Sequence, residues 1–296
     1  MNLLVFGRNG QVGTELQRAL RPLGDVVAVG RSDVDLSRPD ALRAFVADRA
    51  PDAIINAAAY AHVDLAEDEP ELARTVNVDA VRVLAEFARD RGIWLVHYST
   101  DYVFDGVSTS SYTETDATNP LGVYGRTKRD GEVAIAEAGC RHLIFRTSWL
   151  HAPHGANFIA TILRLARTRD RLRVVADQLG APTGADVVAD VTAQALAQAF
   201  TGDVPSGLYH LTCTGATSWY GYARYLLQIA GSHGVKLACG SDGIDPVTSA
   251  EYGARAVRPH NSRLDTSKLV RQFNVALPDW RPGVERTVRA LIESAT

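Results

Sequence analysis

The sequence predicts an α/β protein in which a doubly wound parallel sheet is joined to a smaller C-terminal lobe. Short apolar runs alternate with amphipathic segments in the first half of the chain, for example Leu3 to Phe6, Val12 to Leu20 and Ala53 to Asn56. This alternation is typical of strand–helix–strand units, whose parallel strands are buried on both faces. A glycine-rich turn, Gly7 to Gly13, follows the first run and favours a Rossmann-type order of elements.

The remaining elements follow in chain order. Further strands are predicted at 26–29, 94–98, 143–147 and 174–175, and helices at 80–89, 186–199 and 220–230. Beyond Trp149 the alternation weakens, and glycine, proline and tryptophan become frequent. We therefore predict a sheet domain over residues 1–150 and a smaller lobe over residues 151–296, with the chain re-entering the first domain after residue 180.

The composition excludes several classes of function. Hydrophobic residues make up 46% and charged residues 22% of the 296 residues, as in ordinary globular proteins. The net charge of -3 gives no broad attraction to nucleic acid, and no apolar run approaches the ~20 residues of a membrane span. The run Leu3 to Phe6 is too short for a signal peptide, so we expect the chain to begin with its first strand. Three widely spaced cysteines predict neither disulfides nor a zinc site, and we expect reduced thiols and a cytoplasmic location.

The first turn has the spacing of a dinucleotide site. Gly7, Gly10 and Gly13 form a GxxGxxG pattern, and Gln11 and Val12 open the helix that follows. Glycines allow backbone amides to approach a pyrophosphate, whose charge the helix N-terminus favours. Tight packing alone also explains such glycines, but the position at the first strand–helix junction favours dinucleotide binding. We therefore assign cofactor binding to residues 1–150 and substrate binding mainly to residues 151–296.

The end of the second strand bears on the choice of nicotinamide cofactor. A basic side chain there pairs with the 2′-phosphate of NADPH, so Arg31 favours NADPH, with NADH as the alternative. A solvated loop charge is the plainer interpretation of Arg31, and the nearby Asp33 complicates the assignment. Asp35 is expected to hydrogen-bond the adenine and Leu36 to pack against it. Small side chains after the strand at 53–56 predict a further cofactor wall over Ala59, Tyr60 and Ala61, although tight helix–sheet packing also explains the alanine run.

A tyrosine, a lysine and a threonine have the spacing of a carbonyl-reducing site. Tyr124 and Lys128 would share one face of a helix, where the ammonium is expected to lower the pKa of the phenol from ~10. Thr100 ends the apolar strand that precedes them. Because negative charge grows on a carbonyl oxygen during reduction, we expect Tyr124 to donate the proton, Thr100 to donate a hydrogen bond, and Lys128 to hold Tyr124 and the nicotinamide ribose. A solvated helix face and a turn-capping hydroxyl are the plainer interpretations.

Longer strings resemble the dTDP-4-dehydrorhamnose reductase family of extended short-chain dehydrogenases. They are Gly7 to Leu16, His97 to Phe104, Tyr124 to Lys128, Phe145 to Trp149, Asp177 to Thr183 and Arg258 to Leu264. The likeness covers nearly the whole chain, and its last two strings are the most particular. It implies NADPH-dependent reduction of the 4-keto group of dTDP-4-dehydro-6-deoxy-L-mannose to dTDP-L-rhamnose.

The resemblance also implies roles for individual residues. Thr100, Asp101 and Trp149 would contact the sugar, Trp149 through its apolar face and Asp101 by accepting hydroxyl hydrogen bonds. A core aromatic is the alternative for Trp149. The implied cofactor contacts are Gly10 to Val12, Ala59 to Ala61, Tyr98, Tyr124 and Lys128.

The chain departs from the family at several positions. Gly122 and His151 stand where members often have asparagine and an aromatic residue. The magnesium ion associated with a dimer contact in the family would need three well-placed carboxylates. Glu15 remains, Asp186 is shorter than glutamate and Ala290 has no carboxylate, so we expect no metal site. A homodimer is the expected assembly.

Two other functions stay open from the sequence. A sugar-nucleotide epimerase or dehydratase shares the superfamily, but a dehydratase needs a further acid–base pair, and Tyr102 rather than glutamate follows Asp101. A non-catalytic regulatory subunit, like the partner of methionine adenosyltransferase in a related branch, is the second alternative. The intact Tyr124, Lys128 and Thr100 favour an enzyme.

Overall fold

Six parallel strands form the central sheet of the computed structural model, which describes residues 1–202 and 204–294. The strands in chain order are β1 (Asn2–Phe6), β2 (Asp25–Val29), β3 (Ala53–Asn56), β4 (Trp94–Thr100), β5 (Arg141–Thr147), β6 (Leu150–His151), β7 (Leu172–Val175), β8 (Leu179–Gly180), β9 (Thr183–Gly184), β10 (Gly207–His210), β11 (Thr217–Ser218) and β12 (Ile244–Val247). The order across the central sheet is β10-β5-β4-β3-β1-β2. The predicted α/β fold with a doubly wound parallel sheet is confirmed.

Helices cover both faces of this sheet and build the smaller lobe. In chain order they are α1 (Gln11–Ala19), α2 (Pro39–Arg49), α3 (Val63–Ala66), α4 (Pro70–Arg74), α5 (Ala80–Arg91), α6 (Val123–Ala138), α7 (Phe158–Ala166), α8 (Ala185–Thr201), α9 (Trp219–Ser232), α10 (Ser249–Tyr252), α11 (Ser267–Phe273) and α12 (Trp280–Glu293). A π-helical turn, Thr75–Asp79, joins α4 to α5. None of the described helices combines the length and apolar content needed to cross a membrane.

The central strands have uninterrupted apolar runs because their side chains alternate between two different cores. In β1, Leu3 and Val5 pack into the core that contains α1 and α8, whereas Leu4 and Phe6 pack into the core that contains α2 and α5. All four side chains are at most 2% exposed. Burial of that kind stabilises the sheet from both sides, since each fully buried aliphatic side chain contributes about 1.5–3 kcal/mol.

The later half of the chain returns to the central sheet. Helix α8 lies on α1, and its Val188 and Leu196 share a core with Leu16 and Leu20. Strand β10 then extends the sheet by pairing with β5. The predicted strand at 174–175 is part of β7, which pairs with β12 in the lobe. The division at residue 150 stays a prediction, and the last two residues of the lobe predicted for 151–296 lie outside the described residues.

Candidate active site

Two adjoining cavities lie at the carboxyl ends of the central strands. The first, of about 360 Å³, is lined by predicted cofactor residues, namely Gly7, Arg31, Asp35, Leu36, Ala59 and Tyr60. The second, of about 310 Å³, is lined by further cofactor candidates and by the catalytic and sugar candidates, namely Gln11, Val12, Ala59, Ala61, Tyr98, Thr100, Asp101, Tyr124, Lys128 and Trp149. The predicted Gly10 and Gly13 line neither cavity. Ala58 and Ala59 line both cavities. The arrangement suits an elongated ligand that passes from one cavity to the other.

The glycine turn is closed so tightly that side chains would not fit. Gly7 has φ +92°, and a Cβ there would lie 2.8 Å from the carbonyl carbon of Ala57. A Cβ on Gly13 would lie 2.0 Å from the Gly7 carbonyl oxygen. Gly10 precedes α1 as its N-cap, has no side chain to cap it, and is exposed. The turn therefore leaves backbone amides of the helix N-terminus open to an anion.

Two arginines flank the loop after β2. The Arg31 side chain is 80% exposed, and its Nε lies 3.6 Å from Asp35 Oδ2. The backbone amide and the hydroxyl of Ser37 donate hydrogen bonds to Asp35 Oδ1 and hold this carboxylate within its own loop. The same hydrogen bonds lower the pKa of Asp35. Arg8 was not predicted, yet its Nη1 lies 3.2 Å from Asp33 Oδ2 on the same loop. The position of Arg8 between Gly7 and Gly10 could have identified it from the sequence as a residue near the cofactor loop.

The loop after β3 is fixed by a buried asparagine. Asn77 is fully buried, accepts a hydrogen bond from Tyr60 N at 2.9 Å and donates one to Tyr60 O at 3.1 Å. The Tyr60 hydroxyl donates to Glu69 at 2.7 Å. Asn77 thus holds the wall that Ala59, Tyr60 and Ala61 form. Sequence reasoning missed it because the contact joins residues in different elements.

Tyr124 and Lys128 lie on α6, opposite the end of β4. Lys128 is 2% exposed, and its Nζ donates to Tyr98 O at 2.6 Å. Desolvation raises the pKa of Tyr124 to about 12, and the Thr100 hydroxyl opposes this rise only in part. The expected lowering of the phenol pKa by Lys128 is therefore wrong for this structure, because the amine is directed at β4 and burial dominates. Burial also lowers the pKa of Lys128, to about 8.

Thr100 and Asp101 form a hydrogen-bonded pair at the end of β4. The Thr100 hydroxyl accepts from Tyr102 N at 3.2 Å and donates to Asp101 Oδ1 at 2.9 Å. Thr100 therefore caps the turn that follows β4, and it also lines the second cavity. Asp101 is 2% exposed, and desolvation raises its pKa to about 7 against the opposing effect of Ser262 and Thr100.

Trp149 forms one wall of the second cavity together with Trp219. The two indoles stack with ring centroids 3.6 Å apart and planes at 11°. Trp149 has φ +47°, an uncommon conformation for a bulky residue. A Cβ on Gly180 would lie 2.5 Å from Trp149 Cε2, so the indole packs directly on that glycine. Trp219 was missed because it enters the site from a distant helix.

The catalytic helix candidate α6 is capped by a residue from another element. Its N-cap, Gly122, has no side chain, and the Val123 amide donates to Glu67 Oε1 at 2.8 Å. A Cβ on Gly122 would lie 2.7 Å from the same oxygen. Glycine at 122 therefore makes room for the Glu67 carboxylate, which a helix N-terminus favours.

Removing this cap should weaken α6 at the end that bears Tyr124. We expect Glu67→Ala to lower the free energy of unfolding by about 0.5–2 kcal/mol, the usual cost of losing an N-cap. Adding Gly122→Asn to that variant should restore stability, because the asparagine then caps in the space that the carboxylate left. Urea denaturation measures both. The exposed Glu71→Ala serves as control, and an equal loss in that control would contradict the capping role.

The residues considered for magnesium are engaged in ion pairs. Glu15 Oε2 lies 3.3 Å from Arg18 Nε, and Asp186 Oδ2 lies 2.9 Å from Arg286 Nη2. In the part of the chain that the structure describes, no three histidine, cysteine or acidic side chains cluster as metal ligands would.

Comparison with known proteins places the chain in a family. The model of the RmlD substrate binding domain matches residues 1–292. A dTDP-4-dehydrorhamnose reductase of Escherichia coli K12 is 48% identical over 98% of each chain. The crystal structure of one from Clostridium acetobutylicum superposes with a TM-score of 0.89 at 32% identity, covering 99% of this chain and 100% of that one. One from Bacillus anthracis, in complex with NADP, gives 0.86 at 32% identity, covering 97% and 98%. The resemblance is thereby confirmed, and the chain belongs to the dTDP-4-dehydrorhamnose reductase family.

Proposed function

We propose that this protein reduces the 4-keto group of dTDP-4-dehydro-6-deoxy-L-mannose (dTDP-4-dehydrorhamnose) with NADPH and yields dTDP-L-rhamnose. The observation that supports this most is the convergence of Tyr124, Thr100 and Lys128 on the second cavity of a chain that matches such reductases over its whole length. A regulatory subunit would not need Tyr124, Thr100 and Lys128 grouped beside a dinucleotide cleft, so this grouping favours an enzyme.

The first cavity has the features that an adenosine half requires. Leu36, Leu72 and Val76 offer an apolar wall, and the exposed guanidinium of Arg31 lies at its edge. The pyrophosphate would lie at the N-terminus of α1, where the glycine turn excludes side chains. The NADP complex of the Bacillus anthracis relative supports the same choice of cofactor. When bound, NADPH supplies the hydride for the reduction.

Tyr124 is proposed as the proton donor. Its raised pKa of about 12 keeps the phenol protonated at neutral pH, so a proton is available at Oη for the oxygen that gains charge. Thr100 is proposed to donate to that same oxygen, for which its hydrogen must turn away from Asp101 Oδ1. Lys128 would then stabilise the phenolate that remains and hold the nicotinamide ribose.

The sugar would lie in the second cavity, with the stacked tryptophan pair on one side and the end of β4 on the other. The stacked indoles of Trp149 and Trp219 offer the second cavity apolar ring atoms suited to a methyl group and ring hydrogens, and Asp101 suits a sugar hydroxyl. These contacts would leave the 4-keto oxygen near Tyr124 and Thr100. Specificity for the deoxysugar would follow from the indole wall.

An absorbance assay of reduced nicotinamide tests the function. The purified protein is given several nucleotide-4-ketosugars with NADPH and with NADH. We expect stoichiometric oxidation of NADPH with dTDP-4-dehydrorhamnose and far less with the other sugars. An epimerase or dehydratase regenerates its cofactor, so conversion of the sugar without net oxidation would support that alternative. No turnover combined with an effect on methionine adenosyltransferase would support the regulatory subunit.

Arg31→Ala should raise the KM for NADPH roughly tenfold and leave the KM for NADH nearly unchanged, since only NADPH has a phosphate for a charge-assisted hydrogen bond. Arg8→Ala is the matched variant on the other side of the loop, where Asp33 already engages the guanidinium at 3.2 Å. Its effect should be smaller. If Arg31→Ala changes the KM for NADPH and the KM for NADH equally, Arg31 is a solvated surface charge and does not bind the 2′-phosphate.

We also propose a cytoplasmic location, which the three free and buried cysteines support. The homodimer stays a prediction from the family resemblance. Sedimentation equilibrium of the purified protein tests it.

A further inference from the structure

A buried histidine lies behind Lys128 and links it to the loop after β3. His97, Asn56 and Lys128 are each at most 2% exposed. His97 Nε2 lies 3.2 Å from Lys128 Nζ, and His97 Nδ1 lies 3.2 Å from Asn56 Nδ2. The Asn56 side chain in turn accepts a hydrogen bond from Ala58 N through Oδ1 at 3.2 Å. Ala58 lines both cavities.

The hydrogen bonds fix where His97 has its proton. Because Asn56 Oδ1 accepts from the Ala58 amide, Asn56 turns its NH₂ group toward His97. An amide nitrogen only donates, so His97 Nδ1 must accept. Burial holds the pKa of His97 well below its usual value, and the neutral ring has its single proton on Nε2.

That proton faces Lys128 Nζ, which can accept it only as a neutral amine. Nζ can still donate to Tyr98 O at 2.6 Å in this form. Glu132, one helical turn further along α6, favours the ammonium, but its carboxylate is paired with Arg146 at 2.6 and 2.8 Å. Tyr124, one turn before Lys128, is a neutral phenol at neutral pH.

We propose that His97 is a positioning residue whose tautomer couples the charge of Lys128 to the amide of Ala58. In the ligand-free protein above the midpoint of the Lys128 titration, Lys128 is neutral and His97 has its proton on Nε2. When Lys128 takes one proton from solvent, the ring stays neutral but moves its proton to Nδ1. Asn56 then turns Oδ1 to His97 and frees the Ala58 amide for a ligand. The role in cofactor binding rests on the proposed function, whereas the ligand-free state does not.

Nuclear magnetic resonance of the ligand-free protein tests the first part. Nitrogen-15 spectra distinguish the two histidine tautomers, and the His97 signal is assigned by its loss in His97→Phe. Carbon-13 labelling of lysine gives a simple spectrum, because the lysines are Lys128, Lys236 and Lys268. We expect a Lys128 midpoint below those of the two exposed lysines, and the Nε2–H tautomer of His97 above that midpoint. The Nδ1–H tautomer above the Lys128 midpoint, or equal midpoints for the three lysines, would overturn the proposal.

Asn56→Asp is the decisive variant, because a carboxylate of the same shape can accept from both Ala58 N and His97 Nδ1. We expect the tautomer to reverse and the Lys128 midpoint to rise by on the order of one pH unit. If the Lys128 midpoint rises while the His97 tautomer stays the same, the negative charge of the introduced carboxylate alone explains the rise. That result would overturn the coupling through the His97 tautomer. If the variant does not fold, the wild-type spectra still decide the ligand-free state.

Calorimetry with NADP⁺ tests the link to the ligand. Above the measured Lys128 midpoint, titration in two buffers of different ionisation enthalpy should show uptake of close to one proton per bound NADP⁺. Binding without proton uptake would overturn the link. No binding of NADP⁺ at all would overturn the link and the proposed cofactor, while the resonance data on the free protein stand separately.

Discussion

Replacing Tyr124 by phenylalanine should lower turnover by a factor on the order of 10² to 10⁴, the usual contribution of a positioned general acid. The phenol lies on the second cavity with a pKa of about 12, next to the Thr100 hydroxyl. Phenylalanine keeps the ring and its edge-on contact with Tyr102, whose centroid lies 6.0 Å away. Affinity for NADPH should therefore change little. Steady-state kinetics and calorimetric titration of the cofactor measure the two quantities.

Tyr102→Phe provides the matched control for this variant, since it removes a hydroxyl from the adjacent ring. Its effect on turnover should be far smaller. If Tyr124→Phe turns over the ketosugar at a rate near that of the wild type, another group donates the proton, and the assignment of Tyr124 is wrong.

The largest expected effect on stability comes from the buried ion pair between α6 and β5. Arg146 and Glu132 have side chains 5% and 7% exposed and form two hydrogen bonds, at 2.6 and 2.8 Å. The guanidinium also lies 5.0 Å from the centroid of the Phe104 ring. Arg146→Met leaves the Glu132 carboxylate buried without its partner, so we expect the free energy of unfolding to fall by about 3–5 kcal/mol.

The double variant Arg146→Met with Glu132→Met separates the loss of the pair from the burial of a lone charge. It should recover much of the stability, because two apolar side chains of similar length can replace a buried pair. Urea denaturation of the single and double variants measures the difference. A double variant no more stable than Arg146→Met would show that the uncompensated carboxylate is not the main cost.

The sheet was predictable from sequence where its strands are buried on both faces. Such strands, like β1 and the first half of β4, are largely apolar and follow or precede amphipathic helices. Strand β10, in contrast, has only four residues, Gly207–His210, and no periodicity of its own. It is a strand because the exposed edge of β5 offers it hydrogen bonds. A tertiary contact of that kind leaves no local signal.

The residues of the candidate site also divide into those that local sequence predicts and those that depend on long-range contacts. The helical spacing of Tyr124 and Lys128 and the position of Thr100 at a strand end are local, so the sequence predicts that they meet. Glu67 and Asn77 act through contacts that join distant parts of the chain. The phenol pKa was predicted in the wrong direction, because spacing shows that two residues share a face but not where an amine points or how strongly burial acts.

The late return of the chain to the sheet sets the order in which the protein can mature on the ribosome. Until residues 185–210 have been synthesised, the edge of β5 has no partner and α1 lacks the cover of α8. An N-terminal half that emerges alone therefore exposes an unpaired strand edge and an apolar helix face, the two features that promote aggregation of nascent chains. A minimal nucleotide-binding fragment cut from this protein must include that returning segment, so truncation at residue 150 should yield insoluble material.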